Sequence, residues 1–485
     1  MIIRQTKNTF IRIYNDNIGY LVNQNTKQDR SYNETGADFL KEINRFPQKI
    51  DDIVSRLVKV YTDVDFNSLK SDFIEFVEDL VEHNFVVIGV SEEELNLLDY
   101  GFSYLNEAPK TNAYDFTQKT KSDINENTQD FFYEEFQRKP YLTDLQFELT
   151  SRCNERCIHC YIPNEKKNSG KDLPIDKVLN LIDEFADMGG LHISLSGGEV
   201  LMHKDIEHIL RQCLKRDLMI SILSNLVLLN DNHINLLKEI NPSLIQVSLY
   251  SMNSEIHDSI TTIKGSFEKT KKAIEKLVAA DIPVQISCPI MKANAKGYKN
   301  VLEYAHKLKV KAQTDFIMMA QSDCNTSNLA NRISLVETEE LILEMLQFDN
   351  EYLNTTLQLE PLTADLERLA KQPICGVGID KLCIAENGEV NPCAGWQGLS
   401  LGNVYNKSLK DIFVNSEKIK ELRKLTNSDF PKCMKCDARD FCAMCLVRNF
   451  NENGGDMMKI NEHFCNVAFL NKRIVEDYFK GHSNS

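Results

Sequence analysis

The chain has 485 residues, 42% of them hydrophobic and 26% charged, which predicts a globular protein of about two to four domains. Its formal net charge of -15 argues against a surface that follows phosphates, so we expect no nucleic-acid partner. The chain lacks both an apolar run of about 18 residues and a signal-peptide core, so we expect a cytoplasmic protein without a membrane partner. In that compartment, fourteen cysteines favour metal ligation over disulfides.

Residues 1–90 show short alternating patterns followed by helical ones. We predict three strands at residues 10–14, 18–24 and 27–32, the first two joined around Asn15-Asp16-Asn17. Hydrophobic periodicity predicts helices at residues 35–45, 50–61 and 66–82. Three strands and three helices in this span predict a compact unit of its own.

Residues 91–138 are polar and acidic, which predicts a linker with one helix near residues 92–100. Phe131, Phe132, Tyr133 and Phe136 interrupt this polarity. We expect these aromatic side chains to pack on the next domain.

Residues 139–335 alternate β-rich runs with amphipathic helices. The runs lie at residues 145–149, 192–195, 219–223, 244–249, 283–287 and 314–319. Helices are predicted between them, including 176–188, 209–215 and 267–280. Six such units predict an α/β fold with a parallel sheet, and sites in such folds gather at the carboxyl ends of the strands.

Three cysteines follow the first of these strands. Cys153, Cys157 and Cys160 form a C-x3-C-x2-C run that continues directly into Tyr161. Structural zinc takes four ligands and ferredoxin clusters take four cysteines, so three thiolates leave one iron of a cube open to a reactive ligand. Chance spacing is the alternative explanation in a chain this rich in cysteine.

Short polar motifs end the next three strands. Gly197-Gly198-Glu199 follows the second, where missing side chains let backbone approach a ligand and a carboxylate can accept bonds from an ammonium group. Ser224 and Asn225 follow the third strand, and Ser248 follows the core of the fourth. Serine and asparagine also end many strands as turn formers, which is the alternative explanation for these three.

These motifs resemble the signature of the radical S-adenosylmethionine (radical SAM) superfamily. The resemblance implies a partial (β/α)6 barrel in which S-adenosylmethionine (SAM) binds the open iron of a 4Fe-4S cluster and is cleaved to a 5'-deoxyadenosyl radical. His159 would fill the variable position of the cluster loop, and Val200 stands where the family usually has proline. The residues implied to contact SAM are Tyr161, Gly197, Gly198, Glu199, Ser224, Asn225 and Ser248.

A second cysteine set lies at residues 371–470, between an expected helical bridge at 336–370 and an expected tail at 471–485. Its eight members are Cys375, Cys383, Cys393, Cys433, Cys436, Cys442, Cys445 and Cys465. Eight thiolates can close two cubes, and the pattern resembles the SPASM domain with its two auxiliary 4Fe-4S clusters. Two zinc sites are the alternative, because C-x2-C pairs are common zinc ligands.

The SPASM resemblance implies interleaved ligation. One cluster would take Cys375, Cys383, Cys393 and Cys445, and the other would take Cys433, Cys436, Cys442 and Cys465. The family commonly has three residues between the last two cysteines of the central run, and this chain has two, Ala443 and Met444. The assignments of Cys445 and Cys383 therefore remain open.

Residues 1–90, with Gly19, Thr35-Gly36 and Asp52-Ile53-Val54, resemble the PqqD-like recognition element of ribosomally made peptide pathways. This winged-helix module adds the leader of a precursor peptide to its sheet edge. A structural or dimerising domain is the alternative.

The combined resemblance implies a maturase that modifies a precursor peptide held by its leader, with three 4Fe-4S clusters and a flavodoxin or ferredoxin as electron donor. We expect a thioether or carbon-carbon crosslink, because auxiliary clusters supply an electron sink for net oxidation. Peptide epimerisation is an alternative, for which Cys288 or Cys324, expected to face the barrel mouth, would donate hydrogen. Formylglycine formation in sulfatases and a non-catalytic leader-binding protein are further alternatives.

Cys213 is expected to be a buried apolar residue of a helix.

Overall fold

The computed structural model describes residues 1–104, 139–349, 352–353, 366–442 and 444–482. The aromatic group of Phe131, Phe132, Tyr133 and Phe136, expected to pack on the barrel, lies outside these ranges. Among the described residues, none of the helices combines the length and the apolar character needed to cross a membrane.

The N-terminal unit contains two small sheets and four helices. Its strands are β1 (Ile2–Gln5), β2 (Thr9–Tyr14), β3 (Ile18–Asn23), β4 (Asp29–Asn33), β5 (Gln48–Lys49) and β6 (Val86–Gly89). Its helices are α1 (Thr35–Glu42), α2 (Ile50–Leu57), α3 (Phe66–Glu82) and α4 (Glu92–Leu98). The predicted hairpin, third strand and helices are confirmed, with earlier ends for α1 and α2.

A second sheet, in the order β5-β1-β6, was not predicted. Strand β1 pairs antiparallel with β6, so that Ile2 stands opposite Gly89. Each strand is only four residues long, and the partners lie far apart in the chain. Local periodicity gives little signal for such strands, because their stability comes from the long-range pairing.

The N-terminal unit packs against the amino-terminal end of the barrel through β2. The Arg12 guanidinium Nε donates to the carbonyl oxygen of Gly190 at 2.7 Å, and Arg12 and Arg45 both form ion pairs with Asp217. The Gln24 amide donates to the carbonyl oxygen of Asn241 at 3.0 Å. These contacts cover the β2 edge of the β2-β3-β4 sheet and leave β4 as the outer edge.

The barrel contains six parallel strands in sequential order. They are β7 (Asp144–Glu148), β8 (His192–Ser196), β9 (Met219–Ser224), β10 (Leu244–Ser248), β11 (Val284–Pro289) and β12 (Lys311–Asp315). The helices between them are α5 (Asn164–Asn168), α6 (Ile175–Asp187), α7 (Ile206–Lys215), α8 (Asp231–Ile240), α9 (Ser254–Thr261), α10 (Ser266–Ala279) and α11 (Tyr298–Lys307). The predicted fold class is confirmed, and the apolar faces of sheet and helices form one large core.

The prediction for the last barrel strand was wrong. We placed it at residues 314–319, whereas β12 spans Lys311–Asp315 and alternates between exposed and half-buried positions. Its polar sequence gives no apolar signal because it lies at the sheet edge. The apolar residues after it, including Ile317, Met318 and Met319, leave the sheet and line a cavity instead.

The cysteine-rich region continues the barrel sheet. Strand β13 (Lys381–Ile384) pairs parallel with β7, and β14 (Glu389–Asn391) and β15 (Gly402–Asn403) follow antiparallel, which gives nine strands. The later helices are α12 (Leu335–Phe348), α13 (Leu366–Lys371), α14 (Leu409–Asn415), α15 (Glu417–Lys424), α16 (Pro431–Met434), α17 (Leu446–Glu452) and α18 (Glu462–His482). Helix α18 crosses the boundary predicted at residue 470, because Ile474 and Val475 pack on Ile342 and Leu346 of α12.

Candidate active site

The cysteine loop after β7 is held in place by backbone hydrogen bonds. The amides of Gly198 and Glu199 donate to the carbonyl oxygens of Thr150 and Arg152 at 2.7 and 2.8 Å. The three thiols of Cys153, Cys157 and Cys160 are free and partly exposed. The loop is therefore fixed relative to β8 before any ligand is considered.

The two glycines also have a packing role that we did not predict. A methyl group on Gly198 would lie 2.2 Å from the carbonyl oxygen of Arg152, and one on Gly197 would lie 2.6 Å from that of Thr150. Gly197 also has φ 141, a value that favours glycine. The missing side chains allow the cysteine loop to pack closely against the end of β8.

Glu199 is a buried carboxylate that organises the next strand end. One oxygen accepts from the Ser224 hydroxyl at 2.6 Å, and the other accepts from the Asn225 amide at 2.8 Å. The Leu201 amide also donates to it, at 3.0 Å. Burial raises the pKa of Glu199, and these three donors offset part of that shift.

These motifs surround one cavity of about 220 Å³ at the carboxyl ends of β7 to β11. Every residue for which we predicted a cysteine-cluster or SAM contact in the barrel lines it: Cys153, Cys157, Cys160, Tyr161, Gly197, Gly198, Glu199, Ser224, Asn225 and Ser248. Burial raises the pKa of the Cys153 thiol to about 11, and Lys167 partly offsets this. A bound metal would supply the positive charge that these thiols need to ionise.

Sequence reasoning missed several residues of this cavity. Lys167 is 3% exposed and brings a cation to the wall that also carries Glu199. Gln246, Tyr250 and Ser287 also line the cavity. Gln246 and Ser287 could have been found, because each is a polar residue at an inward position of an otherwise apolar strand. Lys167 could not, because it lies in a short helix whose other residues are also polar.

A second cavity, of about 410 Å³, adjoins the first. His159, Tyr161, Gln246 and Ser287 line both. Its far wall contains Cys393 and Cys445, its apolar wall includes Met318 and Val447, and its charged residues are Asp315 and Arg448. This chamber separates the barrel cysteines from two of the auxiliary cysteines.

The auxiliary cysteines lie in two groups. Burial raises the pKa of the Cys375 and Cys393 thiols, and neighbouring Cys445 adds to both shifts; Cys383 lies next to Cys393. Burial also raises the pKa of the Cys433 and Cys442 thiols, and the nearby thiols of Cys465 and Cys436 add to both shifts. The groups have the same members as the two ligand sets that the SPASM resemblance implied.

Within the described ranges, no three His, Cys, Asp or Glu side chains are grouped tightly enough to hold a single metal ion. Both auxiliary groups consist of thiols alone, a donor set that zinc and iron-sulfur clusters both accept.

Comparison with known families agrees with this geometry. Residues 147–305 match the Radical SAM superfamily, residues 375–437 match SPASM, an iron-sulfur cluster-binding domain, and residues 21–86 match Coenzyme PQQ synthesis protein D (PqqD). The chain belongs to the radical SAM superfamily. Within the superfamily it is a SPASM protein with a PqqD-like N-terminal domain, and SAM and 4Fe-4S clusters are the cofactors of its domains.

Relatives of this radical SAM protein differ in what they do. The subtilosin biosynthesis protein AlbA of Bacillus subtilis is 28% identical over 63% of this chain and 68% of its own length. An AdoMet-dependent heme synthase of Methanosarcina barkeri is 26% identical over 64% of this chain and 93% of its own. The crystal structure of Streptococcus suis SuiB bound to precursor peptide SuiA aligns with a TM-score of 0.62 at 14% identity, covering 96% of this chain and 99% of SuiB.

The expectation that Cys288 faces the barrel mouth was wrong. Cys288 is fully buried in the core of the radical SAM barrel, while its strand neighbours Ser287 and Pro289 line the chamber. Alternation along β11 puts the thiol on the opposite face of the sheet. Cys324 lies beside the Phe450 carbonyl oxygen at 3.8 Å and lines neither cavity. Cys213 is fully buried in α7, as predicted.

Proposed function

We propose that this radical SAM protein modifies a ribosomally synthesised precursor peptide in the chamber between its two cysteine regions. The chamber itself is the main support for this proposal. Its volume is about 410 Å³, and it has His159 and Tyr161, which also line the smaller cavity, on one wall and Cys393 and Cys445 on the other. A peptide side chain placed there would have the radical source on one side and an electron sink on the other.

The smaller cavity is the proposed SAM site. Cys153, Cys157 and Cys160 would hold three irons of a 4Fe-4S cluster, and SAM bound to the fourth supplies the 5'-deoxyadenosyl radical. Glu199 would accept hydrogen bonds from the SAM ammonium group, and Lys167 would pair with its carboxylate. Gly197 and Gly198 would hold the cysteine loop in register, and Tyr161, Ser224, Asn225 and Ser248 would complete the pocket.

We propose two auxiliary 4Fe-4S clusters in the SPASM domain, for a total of three. Cys375, Cys383, Cys393 and Cys445 would hold the one next to the chamber, and Cys433, Cys436, Cys442 and Cys465 would hold the other. The two groups of neighbouring thiols support these sets. A flavodoxin or ferredoxin would supply the electron that SAM cleavage consumes.

The N-terminal domain is the proposed leader-binding module. Strand β4 is the outer edge of its sheet, so its backbone groups are available to an added strand. Helix α3 lies beside that edge, because the Tyr32 hydroxyl of β4 donates to Asp79 at 2.6 Å and the Tyr32 and Phe76 rings are 4.9 Å apart. The PqqD match at residues 21–86 lies in this domain, and the alignment with peptide-bound SuiB covers 96% of the chain, which favours a peptide substrate.

Crosslink formation is the reaction we favour, either thioether or carbon-carbon. Joining two positions through removal of two hydrogens is a net oxidation, for which an auxiliary cluster at the chamber wall provides the electron acceptor. Epimerisation requires a hydrogen donor at the chamber, and neither Cys288 nor Cys324 lines it. These placements support the oxidative reaction over inversion.

Product mass tests the proposal. The reconstituted enzyme would be incubated with SAM, a reductant and synthetic peptides that correspond to short reading frames beside its gene. Each crosslink should lower the peptide mass by two hydrogens. A product of unchanged mass that carries one solvent deuterium per event in heavy water would show epimerisation, and an unmodified peptide in every case would contradict a peptide maturase.

A further inference from the structure

A buried group of charges lies between the SAM-site loop and the SPASM domain. The Lys166 ammonium of α5 is 3.1 Å from a Glu386 carboxylate oxygen and 3.8 Å from one of Glu148. It also donates to the Gln397 side-chain oxygen at 2.6 Å. The side chains of Lys166, Glu386 and Glu148 are only 22%, 4% and 2% exposed.

Both ends of this group are tied to the proposed cofactor sites. The Tyr161 hydroxyl, beside Cys160, donates to Glu148 at 3.0 Å, and the Gln397 amide also donates to Glu148. In the β7–β13 pairing, Cys383 stands opposite Gln146, two residues before Glu148 on the same face of the strand. Glu386 follows Cys383 by three residues. The charges therefore flank the fully buried Cys383.

A charge in this position acts on a neighbouring iron-sulfur cluster. Reduction adds one negative charge to a cluster, so a fixed cation favours the reduced form and a fixed anion disfavours it. Cluster potentials depend on nearby net charge, hydrogen bonds and burial. Because the group is largely withdrawn from water, solvent screens it much less than a surface charge.

We propose that Lys166 raises the reduction potential of the auxiliary cluster bound by Cys383, by offsetting the carboxylates of Glu148 and Glu386. Its role is electrostatic and positional, and Lys166 itself does not touch substrate. The inference rests on the proposed function, since it requires a cluster at Cys375, Cys383, Cys393 and Cys445. It gives that cluster a potential suited to accepting an electron from the chamber.

The test is a redox titration monitored by electron paramagnetic resonance. The full chain with Cys153, Cys157 and Cys160 replaced by Ala would be used, so that only the auxiliary clusters contribute. In this background, Lys166→Met should lower one of the two midpoint potentials and Glu386→Gln should raise the same one. Opposite signs are the decisive feature, because a general loosening of the fold would not depend on the sign of the removed charge.

Two internal controls accompany these variants. The cluster of Cys433, Cys436, Cys442 and Cys465 should keep its potential in both. Lys171→Met removes an exposed cation just after the same helix and should leave both potentials unchanged, because water screens that charge.

The outcomes separate the two proposals. The role of Lys166 would be overturned if both auxiliary potentials stay the same in all variants. It would also be overturned if Lys166→Met and Glu386→Gln shift a potential in the same direction. Either result would leave the cluster assignment intact. A parent protein with iron for fewer than two auxiliary clusters would overturn the cluster assignment and this inference together.

Discussion

At the scale of single residues, the geometry of the site depends on how closely the backbone of the cysteine loop packs against Gly197 and Gly198. Gly198 has no positive φ, yet a side chain there would collide with the Arg152 carbonyl oxygen. Backbone at both sides of the contact belongs to the proposed SAM site, so neither can move without displacing cysteines or Glu199. From the sequence we read the same pair of glycines as room for a ligand, and the contact with the cysteine loop was not predicted.

Gly198→Ala should displace the cysteine loop. We expect the variant to bind about one third less iron after reconstitution, since only the barrel cluster depends on that loop, and to lose SAM cleavage. Iron analysis and 5'-deoxyadenosine formation measure the two effects. Gly297→Ala is the matched control, because its added methyl group would meet no atom closer than 3.9 Å. Full iron in Gly198→Ala would contradict the packing role.

His257 should make the protein without its clusters less stable in acid. Burial lowers the pKa of His257 to about 4, below its ordinary value of 6.5, so the unfolded chain takes up the proton first as the pH falls. Stability is thus lost between about pH 6.5 and 4, by at most about 1.4 kcal/mol per pH unit. Asn is a non-titrating replacement that can still accept the Tyr250 amide bond seen at 3.2 Å. The melting temperature of His257→Asn should fall less than that of the parent over this range, and equal falls would contradict the burial effect.

The site residues that we predicted from the sequence are residue types that are uncommon at the end of a strand. Cysteines, paired glycines and Glu199 all fall in this class. Lys167 and Lys166 were not predicted, because a lysine in a polar helix is normally solvated. Only the packing of α5 buries Lys167 and leaves Lys166 with 22% exposure. Cys288 was misplaced because we ended its strand at residue 287, whereas β11 continues to Pro289 and alternation turns the thiol into the core.

At the scale of elements, strands with long-range partners were the difficult ones. The helices for which we predicted bounds and the β2-β3-β4 meander follow local periodicity and short turns, so their boundary errors are small. Strands β1, β6 and β12 are short or polar and form through pairing with distant segments. Helix α18 continues past the domain boundary predicted at residue 470, because contacts with α12 stabilise it.

The β4 edge yields a prediction about leader binding. The Asn23 amide donates to the Gln28 carbonyl oxygen at 2.9 Å, and alternation from that bond turns the Ser31 amide towards the outer edge. Ser31→Pro removes that donor at an edge position where proline is tolerated. We expect at least about a tenfold loss of affinity for a precursor peptide, measured by fluorescence anisotropy, from one lost hydrogen bond and the ring's bulk.

Ser31→Ala is the control for this edge, because it removes only the hydroxyl and should bind the peptide as the parent does. Reductive SAM cleavage without peptide should be the same in both variants. Unchanged affinity in Ser31→Pro would place the leader elsewhere and make the N-terminal sheet structural.

At the scale of the whole molecule, the chain carries three cysteine groups. One lines the smaller cavity and one reaches the chamber wall through Cys393 and Cys445, whereas Cys433, Cys436, Cys442 and Cys465 line neither cavity. If each group binds a cube, anaerobically reconstituted protein should contain roughly twelve iron and twelve sulfide per chain. Replacing Cys433, Cys436, Cys442 and Cys465 with Ala should remove about a third of the iron and spare SAM cleavage. Iron and sulfide analysis checks this, and stoichiometric zinc in the parent protein would contradict the auxiliary clusters.

Reductive cleavage of SAM tests the central claim most directly. The parent enzyme, reconstituted and reduced with dithionite, should convert SAM to 5'-deoxyadenosine, while replacement of Cys153, Cys157 and Cys160 with Ala should abolish this product. With a substrate peptide deuterated at the reacting carbon, deuterium should also appear in the 5'-deoxyadenosine. Continued cleavage by the triple variant would contradict the account, as would a modified peptide that never transfers its deuterium.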